Sequence, residues 1–570
     1  MYNTYVKVFS RQALLCLCIT GIVVFLFLLR VLLFAGSYGG VEHDSGWYLG
    51  VAKNVALRGI YASYTNTIGE DGVGAHPSIH GRFSVQDRNG YIYFPAGVTV
   101  GPGYVLPEAF LLKVFGSGWW QYRLWPLIAF LALLVISFTL VWRIGGGAAF
   151  FIFALWLWAV PQFTTAFAFE SFSEDIAFLY LLVGFVCAQY VYLHQKKIWG
   201  MTLSGMFLSL AYLTKDLFIL PVVGIAGFFA WDLFTLHRKK MYLLKKWALF
   251  AVGFIVLPLA FFVYEQWFLV SHFGVGGLHA VQEDFRLHFA SNGSGIENLN
   301  LSKLDWSFIY KKAIIWLDVG ISQPLLLWGM LVLFPIVIVT HIKKTHKALI
   351  TSLYLAMVVS FIWFILLSPA GWARHAWQAV MLGMMFVSIG AGSIYRHLSQ
   401  WKERAIYFFI LIVILFSVAE FNSMTLSPVL DASTISQWRS VSMIRGINGF
   451  PSNDILSFSD QDGLVKYFRQ NIKKNDRIYY VGWFLNAEMS PLVDKVFYTL
   501  DRYMNIGQIN PDGGKSYAIF GPYQQGTWSM EPPDYVVQRA NQLCDVIVFQ
   551  NPSYLLCTLQ TNIHYVNAAY

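Results

Sequence analysis

Charge is what this chain has least of. Asp, Glu, Lys and Arg make up 12% of its 570 residues, against 57% hydrophobic ones, a balance that excludes an ordinary soluble domain. Acids are the scarcer sign, 31 against 40 Lys and Arg. The resulting net charge of +9 makes no case for nucleic acid, because the basic residues fall in short clusters between apolar runs. No internal repeat or low-complexity tract is present, so the paired halves of many transporters are missing. No small-residue cleavage site follows the first apolar run, which reads as a retained helix and not a signal peptide.

What the chain has in abundance is apolar runs long enough to cross about 30 Å of hydrocarbon. Eleven are expected, at 14–34, 124–142, 147–165, 176–193, 198–213, 217–235, 247–263, 322–340, 348–367, 379–394 and 405–421. The fold class is therefore a polytopic α-helical membrane protein. Lys7 and Arg11, Arg143, Lys196-Lys197, Arg238-Lys239-Lys240 with Lys245-Lys246, Lys343-Lys344 with Lys347, and Arg396 with Lys402 and Arg404 mark every second connection. The inside-positive rule then puts the N-terminus in the cytoplasm and, with an odd span count, the C-terminus outside. Short connections on the outer side are nearly free of basic residues, Lys215 and Arg374 excepted.

Three outer segments exceed simple turns. Residues 35–120 open on an amphipathic helical pattern at 45–57 and close on an apolar helix near 104–115. Between them the Gly-rich stretch 69–90 reads as an ordered loop or lid. Residues 265–322 contain an interfacial helical pattern around 304–316. Residues 1–421 form the membrane part, and 422–570 a small extracytoplasmic α/β domain. In that domain helices are expected near 463–472, 485–492 and 535–543, and strands near 477–481, 496–500 and 545–549. It carries no glycine-rich phosphate fingerprint, so no nucleotide is assigned to it. Cys16, Cys18 and Cys187 lie in spans and read as packing residues, whereas Cys544 and Cys557 could form a disulfide outside.

Four constellations could carry chemistry. Asp44, in Val41-Glu42-His43-Asp44-Ser45-Gly46-Trp47-Tyr48, is an acid at the outer mouth of the bundle. It suits either an N-cap or a proton acceptor, and Asn could replace it only in the first role. Glu170, Glu174 and Asp175 fall within six positions after the third span, where acids beside apolar helices must be solvated, paired or metal-bound. Such a cluster could bind substrate or hold a hard divalent cation, Mg or Mn, through oxygen ligands. Lys215, in the turn between the fifth and sixth spans, and Arg374-His375, opening the tenth, are cations on the same face as these acids. Together they suggest an anion held beside a base. His76 and His80 have metal-like spacing, but Pro77 between them breaks any helix that would align them.

In their order, these motifs resemble the GT-C glycosyltransferases that use lipid-phosphate sugars. An acid just after the first span is similar to their first-loop catalytic motif. The run Phe94-Pro95-Ala96-Gly97-Val98-Thr99-Val100-Gly101-Pro102-Gly103 with Leu106-Pro107 resembles the rest of that loop in the protein O-mannosyltransferase-like branch. Ser173-Glu174-Asp175 resembles that branch's Gly-Glu motif with Ser for Gly. Leu213-Thr214-Lys215 resembles its Leu-Thr-Lys motif, followed by Asp216 where Gly is commoner, and Arg374-His375 its Arg-Tyr motif with His for Tyr. The resemblance covers residues 14–400. It implies Asp44 as general base, Lys215, Arg374 and His375 as ligands of the donor phosphate, and Glu174 on sugar, acceptor or metal. A polyprenyl-phosphate sugar would be the donor, and a protein, glycolipid or polysaccharide the acceptor. The absence of an ER-retrieval tail after Asn567-Ala568-Ala569-Tyr570 favours a bacterial inner membrane with a periplasmic C-terminal domain. Two rival readings are a lipid-linked glycan polymerase or ligase, which an acid after the first span disfavours, and a transporter, whose polar groups would gather at the bilayer midplane.

Overall fold

Small residues decide how closely the apolar helices approach one another. The computed structural model describes residues 21–22, 24–25, 27–29, 41, 43–64, 75–78, 82–86, 91–93, 101–159, 173–195, 197–236, 239–291, 306–307, 309–310, 344–368, 373–398, 401–407, 411, 458–480, 488–499, 513–521 and 540–560. Along the chain run α1 (His43–Arg58), α2 (Pro102–Phe115), α3 (Gln121–Ala159), α4 (Glu174–Leu193), α5 (Gly200–Thr214), α6 (Asp216–Leu236), α7 (Lys240–Ser291), α8 (Lys344–Ile362) and α9 (Trp377–His397). Among the described residues six helices are long and apolar enough to cross a membrane, and α5 is a shorter apolar one. The span expected at 322–340 and most of those at 14–34 and 405–421 lie outside the described residues, as does most of the interfacial pattern at 304–316.

The boundary expected between the second and third spans is a break inside α3, where Gly146 takes φ 81°. That left-handed conformation is costly for any residue with a Cβ. Gly274, φ 72°, breaks α7 in the same way, so the helix runs on through the region read as the start of an outer loop. Helix α5 lies between α4 and α7, and α3 packs on α9. A Cβ on Gly205 of α5 would stand 2.6 Å from the Phe254 amide nitrogen of α7, and one on Gly392 of α9 would stand 2.6 Å from the Gly145 carbonyl oxygen of α3. Such backbone-to-backbone crossings supply the van der Waals contact that drives helix association in lipid.

One buried charge pair ties α6 to α7. Lys246, expected in a basic connecting loop, is buried instead, with its Nζ 2.6 Å from Asp232 Oδ2. Trp247 Nε1 donates to the same oxygen at 3.0 Å.

Two small sheets complete the structure. Strands β1 (Ala62–Ser63), β2 (Ala75–Ser78), β3 (Arg82–Gln86) and β4 (Ile92–Tyr93) form an antiparallel sheet in the order β1-β4-β3-β2. The stretch expected as a loop or lid thus carries strands, with Pro77 opposite Phe83. Helices α10 (Phe458–Asn471) and α11 (Met489–Val493) accompany β5 (Arg477–Tyr480), β6 (Phe497–Thr499), β7 (Ser516–Phe520), β8 (Cys544–Gln550) and β9 (Leu555–Leu559). These five strands are ordered β6-β5-β7-β9-β8. β5 pairs in parallel with β6 and β7, while β9 runs antiparallel to β7 and β8. This is the expected α/β layer. Cys544 and Cys557 are bonded across β8 and β9. Cys187 in α4 is half-buried and free, and Cys16 and Cys18 lie outside the described residues.

Candidate functional site

The site is built where α1 and α2 lie on the end of α5. Helix α2 begins against the last turn of α5, and glycine is what lets it do so. A Cβ on Gly101 would stand 2.7 Å from the Leu213 carbonyl carbon and 2.8 Å from Thr214 O. One on Gly103 would meet Thr214 Oγ1. Gly101 itself has an extended backbone, φ −76° and ψ 147°, so its requirement is space and not conformation. Tyr180 of α4 donates from its hydroxyl to Gly103 O at 3.0 Å. The Gly-Pro-Gly and Leu-Thr-Lys segments, 110 positions apart in sequence, are therefore one contact, and it fixes the place of Lys215.

Lys215 closes α5 in an extended conformation. Its Nζ lies 3.2 Å from Glu174 Oε1 and donates to the Tyr48 hydroxyl at 3.3 Å. The same hydroxyl accepts a 3.0 Å bond from Ser173 Oγ. Glu174 is almost wholly buried and Lys215 nearly so. Taking two charges out of water costs as much as their attraction returns, so this pair is poor ballast and a ready point for exchange with another anion. Asp175 is the second residue of α4 and fully buried; Ser173 occupies the cap position. Tyr104 of α2 sets its ring edge-on to Tyr48, with centroids 5.2 Å apart.

Asp44 lies in the first turn of α1, not ahead of the helix, one turn before Tyr48 on the same face. An acid there is favoured by the helix dipole. Arg374 falls in a 3-10 turn, Ala373–Ala376, that leads into α9. Trp377, the first residue of α9, packs edge-on against Phe178, one turn past Glu174, with centroids 5.5 Å apart. The turn bearing Arg374 is thereby anchored to the opening of α4. His375 in that turn is half-buried, its ring 6.2 Å from that of Trp363. The side chains of Asp44 and Arg374, and all of Glu170, lie outside the described residues. Among the described residues no group of three His, Cys, Asp or Glu is placed to hold a metal ion.

Sequence reasoning passed over Tyr48, which reads as one more aromatic in an amphipathic stripe. The signal that could have found it is its position four residues after Asp44, which stacks the two on one helix face. It also passed over the far half of α1, which meets the C-terminal layer. There Lys53 Nζ donates to Pro491 O at 2.5 Å. Arg58 lies 3.1 Å from Asp494, and the Tyr64 hydroxyl donates to the same carboxylate at 2.6 Å. Burial pushes the Lys53 ammonium down to about 8, against the pull of Asp494. Burial also works against the Asp494 carboxylate, yet the Tyr64 bond and the charges of Lys53 and Arg58 hold it below its ordinary value.

No family model matches the chain, and no curated protein matches it in sequence. Solved structures do match. ArnT from Cupriavidus metallidurans bound to undecaprenyl phosphate is 13% identical, with 95% of this chain and 98% of that one covered at a TM-score of 0.58. The apo state of ArnT gives 13% identity, coverage of 95% and 99%, and a TM-score of 0.56. A weaker likeness, with TM-score 0.47, 11% identity and coverage of 88% and 69%, is to the archaeal oligosaccharyltransferase AglB from Archaeoglobus fulgidus in complex with an inhibitory peptide and a dolichol-phosphate.

Proposed function

We propose that this chain, a membrane protein with the GT-C fold, is an inverting glycosyltransferase that moves a monosaccharide from a polyprenyl-phosphate donor to an acceptor. The observation that carries the reading is the Lys215 ammonium, held by Glu174 and by Tyr48, the latter four residues after Asp44 on α1. The chain's likeness to an ArnT structure that holds undecaprenyl phosphate agrees with a lipid-phosphate ligand.

In this mechanism Asp44 accepts the proton of the acceptor hydroxyl or amine as its oxygen or nitrogen attacks the anomeric carbon. The bond from that carbon to the phosphate oxygen breaks, and its electron pair leaves with the polyprenyl phosphate. Negative charge growing on the leaving oxygen is met by Lys215, which exchanges Glu174 for the phosphate, and by Arg374 and His375. Glu174, so released, can accept a hydrogen bond from a sugar hydroxyl. Single displacement inverts the anomeric centre. The setting proposed is a bacterial inner membrane, and the spread of basic residues supports an N-terminus in the cytoplasm. The Cys544–Cys557 bond fits a periplasmic C-terminal layer.

The test is turnover by the purified protein of a panel of undecaprenyl-phosphate monosaccharides, read as release of undecaprenyl phosphate. Asp44→Asn is expected to slow it by about 10²–10⁴-fold, the usual worth of positioned proton transfer. Turnover at the parent rate removes Asp44 as the base.

A further inference from the structure

Three residues before Asp44, the main chain of Val41 is gripped by a side chain from the other end of the molecule. Gln461 of α10 accepts from the Val41 amide at 2.7 Å through Oε1 and donates from Nε2 to the Val41 carbonyl at 2.8 Å. A carboxamide presents one donor and one acceptor side by side, so it pairs with a residue's main chain as a neighbouring strand would. Two bonds to one residue fix its orientation as well as its distance. Val41 precedes α1, whose internal bonds do not use these groups. Both residues are buried, where such groups need partners.

The amide cannot turn over, because its nitrogen also donates to the Tyr554 hydroxyl at 3.3 Å. That hydroxyl donates in turn to Glu488 Oε1 at 3.2 Å. Gln461, Glu488 and Tyr554 have no exposed surface. A buried relay of this kind orders a polar core in one arrangement. α10 is seated independently as well: the rings of Trp119 and Phe458 lie 4.7 Å apart, and Trp119 Nε1 donates to Asp462 at 3.2 Å.

We propose that Gln461 is a positioning residue for Asp44: it locks the chain entering α1, so that the C-terminal layer sets the place of the catalytic carboxylate. This rests on the reading of Asp44 as the base. The layer then acts on the reaction without touching donor or acceptor, and its loss would slow chemistry while leaving lipid-phosphate binding in place.

The experiment compares the parent, Gln461→Met, Asp44→Asn and the double variant as full-length chains, with Gln461→Glu as a second single change that keeps the acceptor for the Val41 amide. Undecaprenyl-phosphate monosaccharide turnover, undecaprenyl phosphate binding and deuterium uptake over residues 41–50 are measured. Gln461→Met is expected to lower kcat by about 10–100-fold, since a misplacement of about 1 Å costs about 10²-fold. Affinity for undecaprenyl phosphate should stay within about twofold, uptake over 41–50 should rise, and the double variant should be no slower than Asp44→Asn, as for residues acting as a unit. Gln461→Glu should fall between parent and Gln461→Met, and it carries the test if the latter does not fold. Equal loss of lipid-phosphate affinity and kcat, or an effect that multiplies onto Asp44→Asn, overturns the proposal. If Asp44→Asn turns over at the parent rate, the base reading has failed by itself, and unchanged uptake over 41–50 in Gln461→Met overturns the grip separately.

Discussion

Adding one methyl group at Gly101 should damage this protein twice. The backbone at Gly101 is extended, at φ −76° and ψ 147°, so alanine fits it without strain and would gain about 0.4–1 kcal/mol from the unfolded chain. The new Cβ, however, would stand 2.7 Å from the Leu213 carbonyl carbon and 2.8 Å from Thr214 O. Carbon contacts are comfortable from about 3.5 Å, and both neighbours are backbone. The Leu213 carbonyl oxygen would be nearer still, so the start of α2 and the end of α5 must part by more than about 1 Å. Overpacking of that kind costs about 1–3 kcal/mol, leaving a net loss of up to about 2.6 kcal/mol after the unfolded-state gain. The second damage is local. The bond from Lys215 Nζ to the Tyr48 hydroxyl is already 3.3 Å long, and the parting breaks it. A hydrogen bond to a charged group is worth about 1.5–3 kcal/mol, so affinity for undecaprenyl phosphate should fall about tenfold or more. The assay pairs the thermal midpoint of detergent-purified protein with an undecaprenyl phosphate titration. Gly276→Ala is the control, because nothing lies within 4 Å of its would-be Cβ and helical Gly→Ala gains about 0.5–1 kcal/mol. If Gly101→Ala matches that control in both measurements, the contact does not place Lys215.

Two further outcomes can be measured on the same protein. Lys53 holds its proton to 10.5 when unfolded but only to about 8 when folded; between these values the unfolded chain binds more protons, so stability should rise with pH, by about 2 kcal/mol from pH 7 to 9.5. Lys53→Met should flatten that rise, and parallel curves for parent and variant would contradict the burial argument. Reduction of the Cys544–Cys557 bond, which spans 13 positions, should destabilise the C-terminal layer by about 3 kcal/mol, and an unmoved unfolding transition in reductant would count against it.

Lys215 was legible because a lone cation in a neutral, short connection is conspicuous, and Glu174 because acids beside apolar helices need a partner. The two turned out to be each other's partner. Gly101 and Gly103 were legible only as a motif. Their physical reason, the backbone of Leu213 and Thr214, is a contact between distant segments that no local pattern encodes. Tyr48 was hidden by its own amphipathic stripe, and Gln461 by 420 intervening positions. In the C-terminal layer, β5 and β8 announced themselves as apolar runs between turn residues. β7 (Ser-Tyr-Ala-Ile-Phe) and β9 (Leu-Leu-Cys-Thr-Leu) did not, since five-residue apolar runs suit a helix as well as a strand. The strands at 75–78 and 82–86 were obscured by Pro77 and flanking glycines. Their stability comes from pairing with each other, which propensity does not report.

Because α1 and α2 rest on one another, the ends of the stretch at 65–100 are already brought together by the bundle. Lengthening a tether whose ends are pinned is cheap, about 0.6 kcal/mol for each doubling. The same scaffold can thus host inserts of many sizes between these two helices without disturbing how they pack.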